Sequence, residues 1–319
     1  MDDKKRLGRI GHLKMGKLSH FSWWRHRAVR LITYILLFNL AFVFLYPFMY
    51  MIITSLKTNQ DLMDSTVQWI PRSLHWGNYR LAYHALAFNT AAVTSIIYTV
   101  VGTLGHLISC SFIAYGFARY RFPGKKLLFV FLLLMIIIPT PTLIAPLYIQ
   151  YSNLGWLNTY LPVLIPTFFG FGLKGGLFIF IFRQFFLGLP RELEDVARVD
   201  GCTSIGTYFR IVLPVAKSVL LVNFVLSVVW HWNDYYEPGI YYGRQPPLPV
   251  ALNAMGNLIS NSNALESLMA QMGIVDTDAI INNAVFMAAS FINILPLLIL
   301  FIFAQKQFMQ GIERTGLVE

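Results

Sequence analysis

Six long apolar runs constrain this chain more than any other feature of its sequence. They cover residues 30–55, 88–117, 127–148, 159–187, 214–236 and 284–305. Each run is long enough to cross a hydrocarbon core of about 30 Å as a helix, and a helix satisfies its own backbone hydrogen bonds in lipid. The composition agrees, because 13% of the residues are charged, against about a quarter in soluble proteins. We predict an all-α membrane protein with six transmembrane helices.

Basic residues are distributed unevenly between the segments that join these runs. They concentrate in the N-terminal tail, after the second run, after the fourth run and at the C-terminus. The alternate segments hold only Lys57, Arg72, Arg80 and Arg244. By the positive-inside rule we expect a multi-pass protein of the cytoplasmic (inner) membrane with both termini in the cytoplasm. The net charge of +10 then reflects topology, and no nucleic-acid partner is predicted.

This topology divides the chain into three parts. Residues 1–28 are predicted to be a basic cytoplasmic tail, residues 29–312 the transmembrane domain and residues 313–319 a cytoplasmic C-terminal tail. Residues 237–283 are predicted to form a large external loop. Loops of that length in a compact architecture are usually functional.

A polar segment, residues 190–214, separates the fourth and fifth runs. Pro190 suits the first turn of a helix, acidic residues follow it, and Asp200-Gly201 supplies a tight turn. Apolar residues then recur at helical spacing. The predicted apolar faces contain Leu193, Val196 and Ala197 in the first helix and Ile205, Tyr208, Phe209 and Val212 in the second. We predict two short amphipathic helices on the cytoplasmic surface, with an outer face available to dock a partner.

This segment resembles the EAA loop of ATP-binding cassette (ABC) importer permeases, in which Glu-Ala-Ala precedes Asp-Gly and Leu-Pro follows further along. Here Asp195-Val196-Ala197, Asp200-Gly201 and Leu213-Pro214 stand at those positions. Asp for Glu and Val for Ala keep the charge sign and the apolar character. The resemblance extends over residues 30–312. Runs that look like the carbohydrate, maltose-type branch of the family are residues 182–186, 230–235 and 307–312.

The resemblance implies a type I ABC importer permease fold with a cytoplasmic EAA coupling helix pair. It also implies a set of partners: a second homologous permease subunit, two cytoplasmic ABC ATPase subunits, an extracytoplasmic solute-binding protein, and a sugar or oligosaccharide substrate. The residues that it implies in ATPase coupling are Glu194, Asp195, Ala197, Asp200 and Gly201.

No phosphate-binding loop of the form G-x-x-x-x-G-K-[ST] occurs in the sequence, so ATP hydrolysis is expected on a separate chain. We predict a transport subunit rather than an enzyme, without a cofactor of its own and with ATP and Mg on the partner ATPase. Cys110 and Cys202 lie far apart without ligand-like spacing. Neither a disulfide nor a metal site is predicted.

The fourth run combines a lysine with four glycines within seven residues, and we expect the glycines to loosen the helix. Lys174 lies about midway through it, where a lysine is costly unless it faces a polar cavity or a partner. It is a candidate donor to sugar hydroxyls or to a uronate, and a snorkelling or structurally paired lysine is the alternative. Trp230 and Asn233, one helical turn apart, are further candidates for the substrate path, although an interfacial aromatic belt also explains Trp230. His106 is expected to be a packing histidine with its hydrogen bonds satisfied, and a proton relay is the alternative.

Two other classes of function stay open at this point. An ABC permease for a non-sugar solute, such as a peptide, a polyamine or a sulfonate, would carry the same loop. A secondary transporter or a membrane enzyme is the more distant alternative. Secondary transporters usually need buried relays, whereas Asp and Glu are absent from the first four runs and from the sixth.

Overall fold

The computed structural model describes residues 3–261 and 281–316, and the regular structure in this part of the chain is helical. The α-helices are α1 (Asp3–Ser55), α2 (Asn59–Met63), α3 (Gly77–Ala85), α4 (Phe88–Arg119), α5 (Lys125–Ile137), α6 (Thr140–Asn153), α7 (Leu161–Leu164), α8 (Gly175–Gly188), α9 (Glu192–Val199), α10 (Ser204–Thr207), α11 (Leu213–Val215), α12 (Lys217–Asn233), α13 (Tyr236–Tyr241), α14 (Leu248–Ser260) and α15 (Asn283–Gly316). A 3-10 helix, Ile165–Phe169, follows α7, and a π-helical turn, Tyr208–Val212, follows α10.

Three helices are long and apolar enough to cross a membrane without interruption. They are the His26–Ser55 part of α1, the whole of α4 and the Asn283–Gln305 part of α15. These helices correspond to the first, second and sixth apolar runs. In α1 the helix begins at Asp3, so the predicted tail and the first run belong to one helix.

The third and fifth runs form bent pairs of helices. α5 and α6 meet at 103°, and the helical stretch Ser204–Val215 meets α12 at 79°. Pro139 explains the first bend, because proline lacks an N–H and forces the preceding residue out of the helical region. That residue, Ile138, has a ψ of 122°. The prediction that the third run crosses as one helix is therefore wrong.

The fourth run departs furthest from its prediction. α7 and the 3-10 helix end at Phe169, and α8 begins only at Gly175. Between them Gly170, Gly172 and Lys174 have φ values of 70°, 97° and 60°, in the left-handed region that a right-handed helix cannot contain. The glycines were expected to loosen this helix. In the structure they interrupt it, so a continuous fourth helix is also wrong.

α4 is the central helix of the fold and packs along α8 and α12. Two glycines of α4 let neighbouring segments approach closely, Gly105 at the 3-10 helix and Gly102 at α12. A Cβ at Gly105 would lie 2.1 Å from Thr167 Oγ1, and one at Gly102 would lie 2.5 Å from His231 Cδ2. Small residues at such contacts let membrane helices approach closely. The buried side chains around α4 include an aromatic cluster of Phe178, Phe182 and Phe186.

The predicted external loop, residues 237–283, is largely helical where the structure describes it. α13 and α14 occupy its first part, whereas residues 262–280 lie outside the described residues. The backbone N–H of Leu248, the first residue of α14, donates a hydrogen bond to Ser95 Oγ of α4 at 2.8 Å. This contact joins the segment to the same central helix that packs on α8 and α12.

Candidate functional site

The polar segment between the fourth and fifth runs folds into two short helical pieces, and we call residues 190–216 the polar hairpin. α9 forms the first piece, and α10 continues into the π-helical turn. Between them Gly201 has a φ of 79° and open space around it. Thr203 Oγ1 caps α10 by accepting a hydrogen bond from the Gly206 N–H at 3.1 Å.

Glu194 of the polar hairpin is buried against an arginine at the end of α4. Its Oε1 lies 2.8 Å from Arg119 Nε, and the side chains of Arg119 and Glu194 are 5% and 7% exposed. Arg119 Nη2 also donates a hydrogen bond to the Leu189 carbonyl at 2.8 Å. A buried charge is costly unless it is paired and hydrogen-bonded. Here the two charges are paired and Arg119 is hydrogen-bonded to the Leu189 carbonyl, whereas the contact between Arg119 Nε and Glu194 Oε1 is an ion pair without hydrogen-bond geometry. The contacts fix the hairpin on α4. The sequence reasoning had assigned Arg119 to topology alone, since no spacing links it to Glu194.

The other residues predicted in coupling divide between the inside and the outside of the hairpin. Ala197 is buried, whereas Asp195 is exposed and pairs with Arg198 of the same helix at 3.4 Å. Asp200 and Gly201 form the exposed turn. A docking partner could therefore reach Asp195, Asp200 and Gly201, while Glu194 and Ala197 face the rest of the protein.

The exposed side of the hairpin also carries large apolar side chains. Tyr208 and Val212, predicted on the same face as Ile205 and Phe209, are buried instead, and the Tyr208 hydroxyl lies 2.7 Å from Ser111 Oγ of α4. The π-helical turn breaks the 3.6-residue period on which that prediction relied. The exposed apolar set is Leu193, Val196, Val199, Ile205 and Phe209. Apolar side chains grouped on a polar element are typical of an interaction surface.

The structure brings together two of the three residues predicted to line a substrate path. Lys174 precedes α8, is exposed, and places its Nζ 5.9 Å from the centre of the Trp230 ring, within cation–π range. Asn233 is exposed further along α12, and its Nδ2 donates to the Val229 carbonyl at 2.8 Å. The expectation that Lys174 lies midway along a helix is wrong, because the break in the fourth run puts it at a helix N-terminus.

His106 and His231 face each other between α4 and α12, with ring centroids 5.0 Å apart. His106 Nε2 lies 3.3 Å from the Phe171 carbonyl oxygen, and His231 Nδ1 lies 2.9 Å from the Ser227 carbonyl oxygen. His106 packs between helices as predicted, with one ring nitrogen in contact with a backbone carbonyl. The prediction that its hydrogen bonds are satisfied is wrong for Nδ1, which is buried without a hydrogen-bond partner among the described residues. Within the described residues, no three His, Cys, Asp or Glu side chains come close enough together to hold a metal ion.

A cavity of about 90 Å³ lies beside the break in the fourth run. Its walls come from the α5–α6 bend, the broken segment and α13, and include Tyr151, Phe171 and Gly172. Glu237 and Tyr241 of α13 line it as well. Among the described residues, the buried Glu237 carboxyl has no hydrogen-bond donor or cation beside it, and the buried Tyr241 hydroxyl has no hydrogen-bond partner.

Glu237 lies beyond the end of α12, outside the membrane-spanning part of the fifth run. Burial raises the pKa of the Glu237 carboxyl to about 8, and the Asp234 carboxylate contributes to the shift. The group is therefore mostly protonated at pH 7 and can both donate and accept a hydrogen bond. The sequence did not identify Glu237 and Tyr241 as site residues, because both fall in the predicted external loop. The signal that could have identified Glu237 is its position directly after the aromatic residues Tyr235 and Tyr236.

Comparison with known proteins gives a consistent result. The family described as "Binding-protein-dependent transport system inner membrane component" matches residues 108–314. The arabinooligosaccharides transport system permease protein AraQ of Halalkalibacterium halodurans is 29% identical over 280 residues, covering 87% of this chain and 92% of AraQ. The polygalacturonan/rhamnogalacturonan transport system permease protein YtcP of Bacillus subtilis is 24% identical, covering 90% of this chain and 97% of YtcP.

The fold has a solved counterpart in a bacterial ABC transporter involved in the import of the acidic polysaccharide alginate. The TM-score is 0.73 at 22% identity, covering 88% of this chain and 97% of that chain. These matches confirm the resemblance to ABC importer permeases and the all-α, type I permease fold. Because the family match covers more than half of the residues, including the polar hairpin and α12, the chain belongs to the family of binding-protein-dependent transport system inner membrane components.

Proposed function

We propose that this chain is the permease subunit of an ATP-driven importer that passes a sugar or an oligosaccharide from an extracytoplasmic binding protein across the cytoplasmic membrane. The observation that carries the proposal is the polar hairpin. In a chain of this family it is held by a buried ion pair, and it presents an exposed acidic and apolar surface. The names of AraQ and YtcP, which specify oligosaccharide and polysaccharide transport, support a carbohydrate as the substrate.

The hairpin is proposed to dock one of two cytoplasmic ABC ATPase subunits, which hold ATP and Mg. Asp195, Asp200 and Gly201 are accessible for that contact, and the exposed apolar side chains around them supply area to bury. A second homologous permease completes the assembly, and a solute-binding protein delivers the substrate. In this arrangement the chain itself is not an enzyme.

Six crossings are proposed, with both termini in the cytoplasm. Three continuous helices and two bent pairs account for five crossings, and the broken fourth run, counted as one crossing, supplies the sixth. Cysteine labelling in intact cells tests the orientation. An impermeant thiol reagent added outside is expected to label a Ser260→Cys variant, since Ser260 is exposed on α14, and to leave Cys202 unmodified. The reverse pattern contradicts this orientation.

Lys174, Trp230 and Asn233 are proposed to line the substrate path. The 5.9 Å separation between Lys174 Nζ and the Trp230 ring supports a common site for the first two. Asn233 is included because its exposed side chain lies one turn from Trp230 on α12. An ammonium group beside an aromatic face offers both a hydrogen-bond donor and a surface for sugar C–H groups.

The complex reconstituted in proteoliposomes tests the proposal. ATPase subunits that have no transmembrane helices of their own are expected to copurify with the chain. Asp195→Lys and Gly201→Pro are each expected to abolish substrate-stimulated ATP hydrolysis. Asp64→Lys is the matched control, because Asp64 lies far from the hairpin in sequence, between α2 and α3. Normal stimulation in both hairpin variants contradicts the docking assignment. Uptake of a non-sugar solute with no carbohydrate uptake contradicts the substrate class.

A further inference from the structure

The cavity beside the broken fourth run is lined by the Tyr241 hydroxyl, a buried group without a hydrogen-bond partner, and by the Glu237 carboxyl, for which no described residue provides a hydrogen bond. The Glu237 side chain lines the cavity within a residue that is 9% exposed, and the Tyr241 hydroxyl belongs to a residue that is 2% exposed. A buried group without a hydrogen bond costs about 1 to 3 kcal/mol. Two such groups facing one space indicate a ligand that supplies the missing partners.

The backbone around the cavity supports the same conclusion. Pro162, Pro166 and Gly172 contribute to the wall, and the chain between α7 and α8 is not α-helical there. In a membrane protein, irregular backbone within an apolar run is tolerated where it is buried in protein or lines a polar cavity. Broken helices are also where transporters place their binding sites. The break thus gives the cavity a wall shaped for contact with a ligand.

The lining also restricts the charge of that ligand. None of the described residues that line the cavity is Lys, Arg or His, and its acidic member is Glu237. An anion would enter without a positive partner, which is costly in a buried site. A hard cation such as Mg²⁺ or Ca²⁺ would find one carboxyl, and the other side-chain oxygens of the lining are the neutral hydroxyls of Thr140, Tyr151 and Tyr241, whereas both ions are bound mainly by carboxylates, carbonyls and water. A neutral group with hydroxyls fits both limits.

We propose that this cavity is a subsite for one neutral sugar unit, with the Glu237 carboxyl and the Tyr241 hydroxyl bonding its hydroxyls. The inference rests on the proposed carbohydrate transport and names the class of sugar that this site takes. The rings of Tyr151 and Phe171 supply apolar faces for the sugar C–H groups. The volume, about 90 Å³, exceeds the space of a single water several-fold. It suits the edge of one sugar ring rather than a length of polysaccharide.

Uptake kinetics of the complete complex test the inference. The complex, with its ATPase and binding protein, is reconstituted in proteoliposomes and given a panel of neutral arabino-, xylo- and malto-oligosaccharides and acidic oligogalacturonides. The variants are Tyr241→Phe, which removes one hydroxyl, Glu237→Leu, which removes the carboxyl, and Glu237→Gln, which keeps a donor and an acceptor. The matched control is Tyr148→Phe. Tyr148 is exposed, stacks on the Tyr241 ring at 6.5 Å and does not line the cavity.

We expect the KM for neutral oligosaccharides to rise about threefold to tenfold in Tyr241→Phe and in Glu237→Leu, because each loses a hydrogen bond to the substrate. Glu237→Gln, which keeps a donor and an acceptor, should raise the KM less than Glu237→Leu does. Tyr148→Phe should stay within about twofold of the wild type, since it leaves the groups that line the cavity in place. The kcat of all four variants should change little. If the Glu237→Leu complex does not assemble, the KM of the Tyr241→Phe complex alone tests the inference.

Three other results overturn the inference. The first is an unchanged KM in Tyr241→Phe and Glu237→Leu, and the second is a fall in kcat at constant KM, which indicates a structural role. The third is uptake of oligogalacturonides, and of no neutral oligosaccharide, by the wild-type complex. That result contradicts the neutral subsite but is consistent with carbohydrate transport. A wild type that carries no carbohydrate refutes the proposed function itself, so the two failures are distinguishable.

Discussion

Glu194 and Glu237 are both nearly buried glutamates in a mostly apolar chain, yet their surroundings are opposite. The Glu194 carboxylate lies 2.8 Å from Arg119 Nε, and Arg119 also binds the Leu189 carbonyl. The Glu237 carboxyl faces a cavity that it shares with the Tyr241 hydroxyl, and no described residue offers it a donor. The first carboxyl is paired with a cation of the protein, although its Oε1 lacks hydrogen-bond geometry, and the pair holds two elements together. The second is left unsatisfied and is available to something from outside.

The same substitution, Glu to Gln, should therefore have opposite effects on stability at the two sites. Glu194→Gln leaves the Arg119 charge buried without a counter-charge, and we expect a loss of about 3 to 5 kcal/mol in the free energy of unfolding. Denaturant unfolding of the purified chain, followed by tryptophan fluorescence, measures it. Asp195→Asn is the control, because that exposed pair contributes only about 0 to 1 kcal/mol. A loss below about 1 kcal/mol in Glu194→Gln would remove the contrast.

Glu237→Gln should instead leave the protein about equally stable near pH 4.5 and increasingly more stable than the wild type as the pH rises to 9. The folded-state pKa of Glu237, about 8, lies above its ordinary value of 4.5. The stability that this proton contributes is therefore complete below pH 4.5 and is lost as the pH rises through 8. Asp234, Tyr151 and Tyr241 are the titratable groups nearest to it.

Thermal unfolding between pH 5 and pH 9 checks this prediction. The wild type should lose stability across the range relative to Glu237→Gln, and the difference between them should be smallest at the acid end. Equal pH profiles for the two proteins would mean that Glu237 is paired after all. The distinction between an ion-paired carboxyl, Glu194, and an unpaired one, Glu237, would then fail.

A substitution in the hairpin turn should lower the free energy of unfolding less than the loss of the ion pair between Arg119 and Glu194 does. Gly201 has a φ of 79° with nothing within 4 Å of an added Cβ. Gly201→Ala therefore costs only backbone strain, about 1 to 2 kcal/mol. Gly188→Ala, which also has open space but no positive φ, is the matched control and should not destabilise. A similar result for both variants in the unfolding assay would show that the turn does not need the left-handed conformation.

The smallest effect on stability is expected at Lys174. Its ammonium lies 5.9 Å from the Trp230 ring on an exposed part of the chain, and an exposed cation–π contact contributes about 0.5 to 1 kcal/mol. Lys174→Met should change the unfolding free energy by no more than that. If Lys174 bonds the substrate, uptake by the reconstituted complex falls although stability hardly changes. Unaltered uptake would restrict the substrate-bonding groups to α12 and α13.

The sequence predicted local features of both regions better than the contacts that define them. Pro190, the acidic first turn and Asp200-Gly201 predicted the helices and the turn of the hairpin, because capping and turn signals are local. The partner of Glu194 lies on α4, and no local rule links residues so far apart in the chain. A π-helical turn also shifted Tyr208 inward, which a uniform helical period does not anticipate.

The fourth run shows a different reason for a wrong prediction. Its hydropathy fits a membrane span, and its prolines and glycines were visible in the sequence. Glycine tolerates both helical and left-handed backbone, so the pattern alone does not distinguish a loosened helix from an interrupted one. Glu237 lines the cavity beside the same break, and neither the break nor the cavity follows from hydropathy. Hydropathy located the segment, and packing decided its form.

α4 is one continuous helix that connects the polar hairpin with the segment containing α13 and α14. It carries Arg119 at one end, clamped to the polar hairpin, and Ser95 near the other, hydrogen-bonded to the first residue of α14. At about 1.5 Å per residue these anchor points lie about 36 Å apart along the axis. A displacement of the polar hairpin would thus be transmitted to the α14 end as a translation or a tilt of α4. The contacts at the two ends of α4 therefore determine which segments move together with this helix.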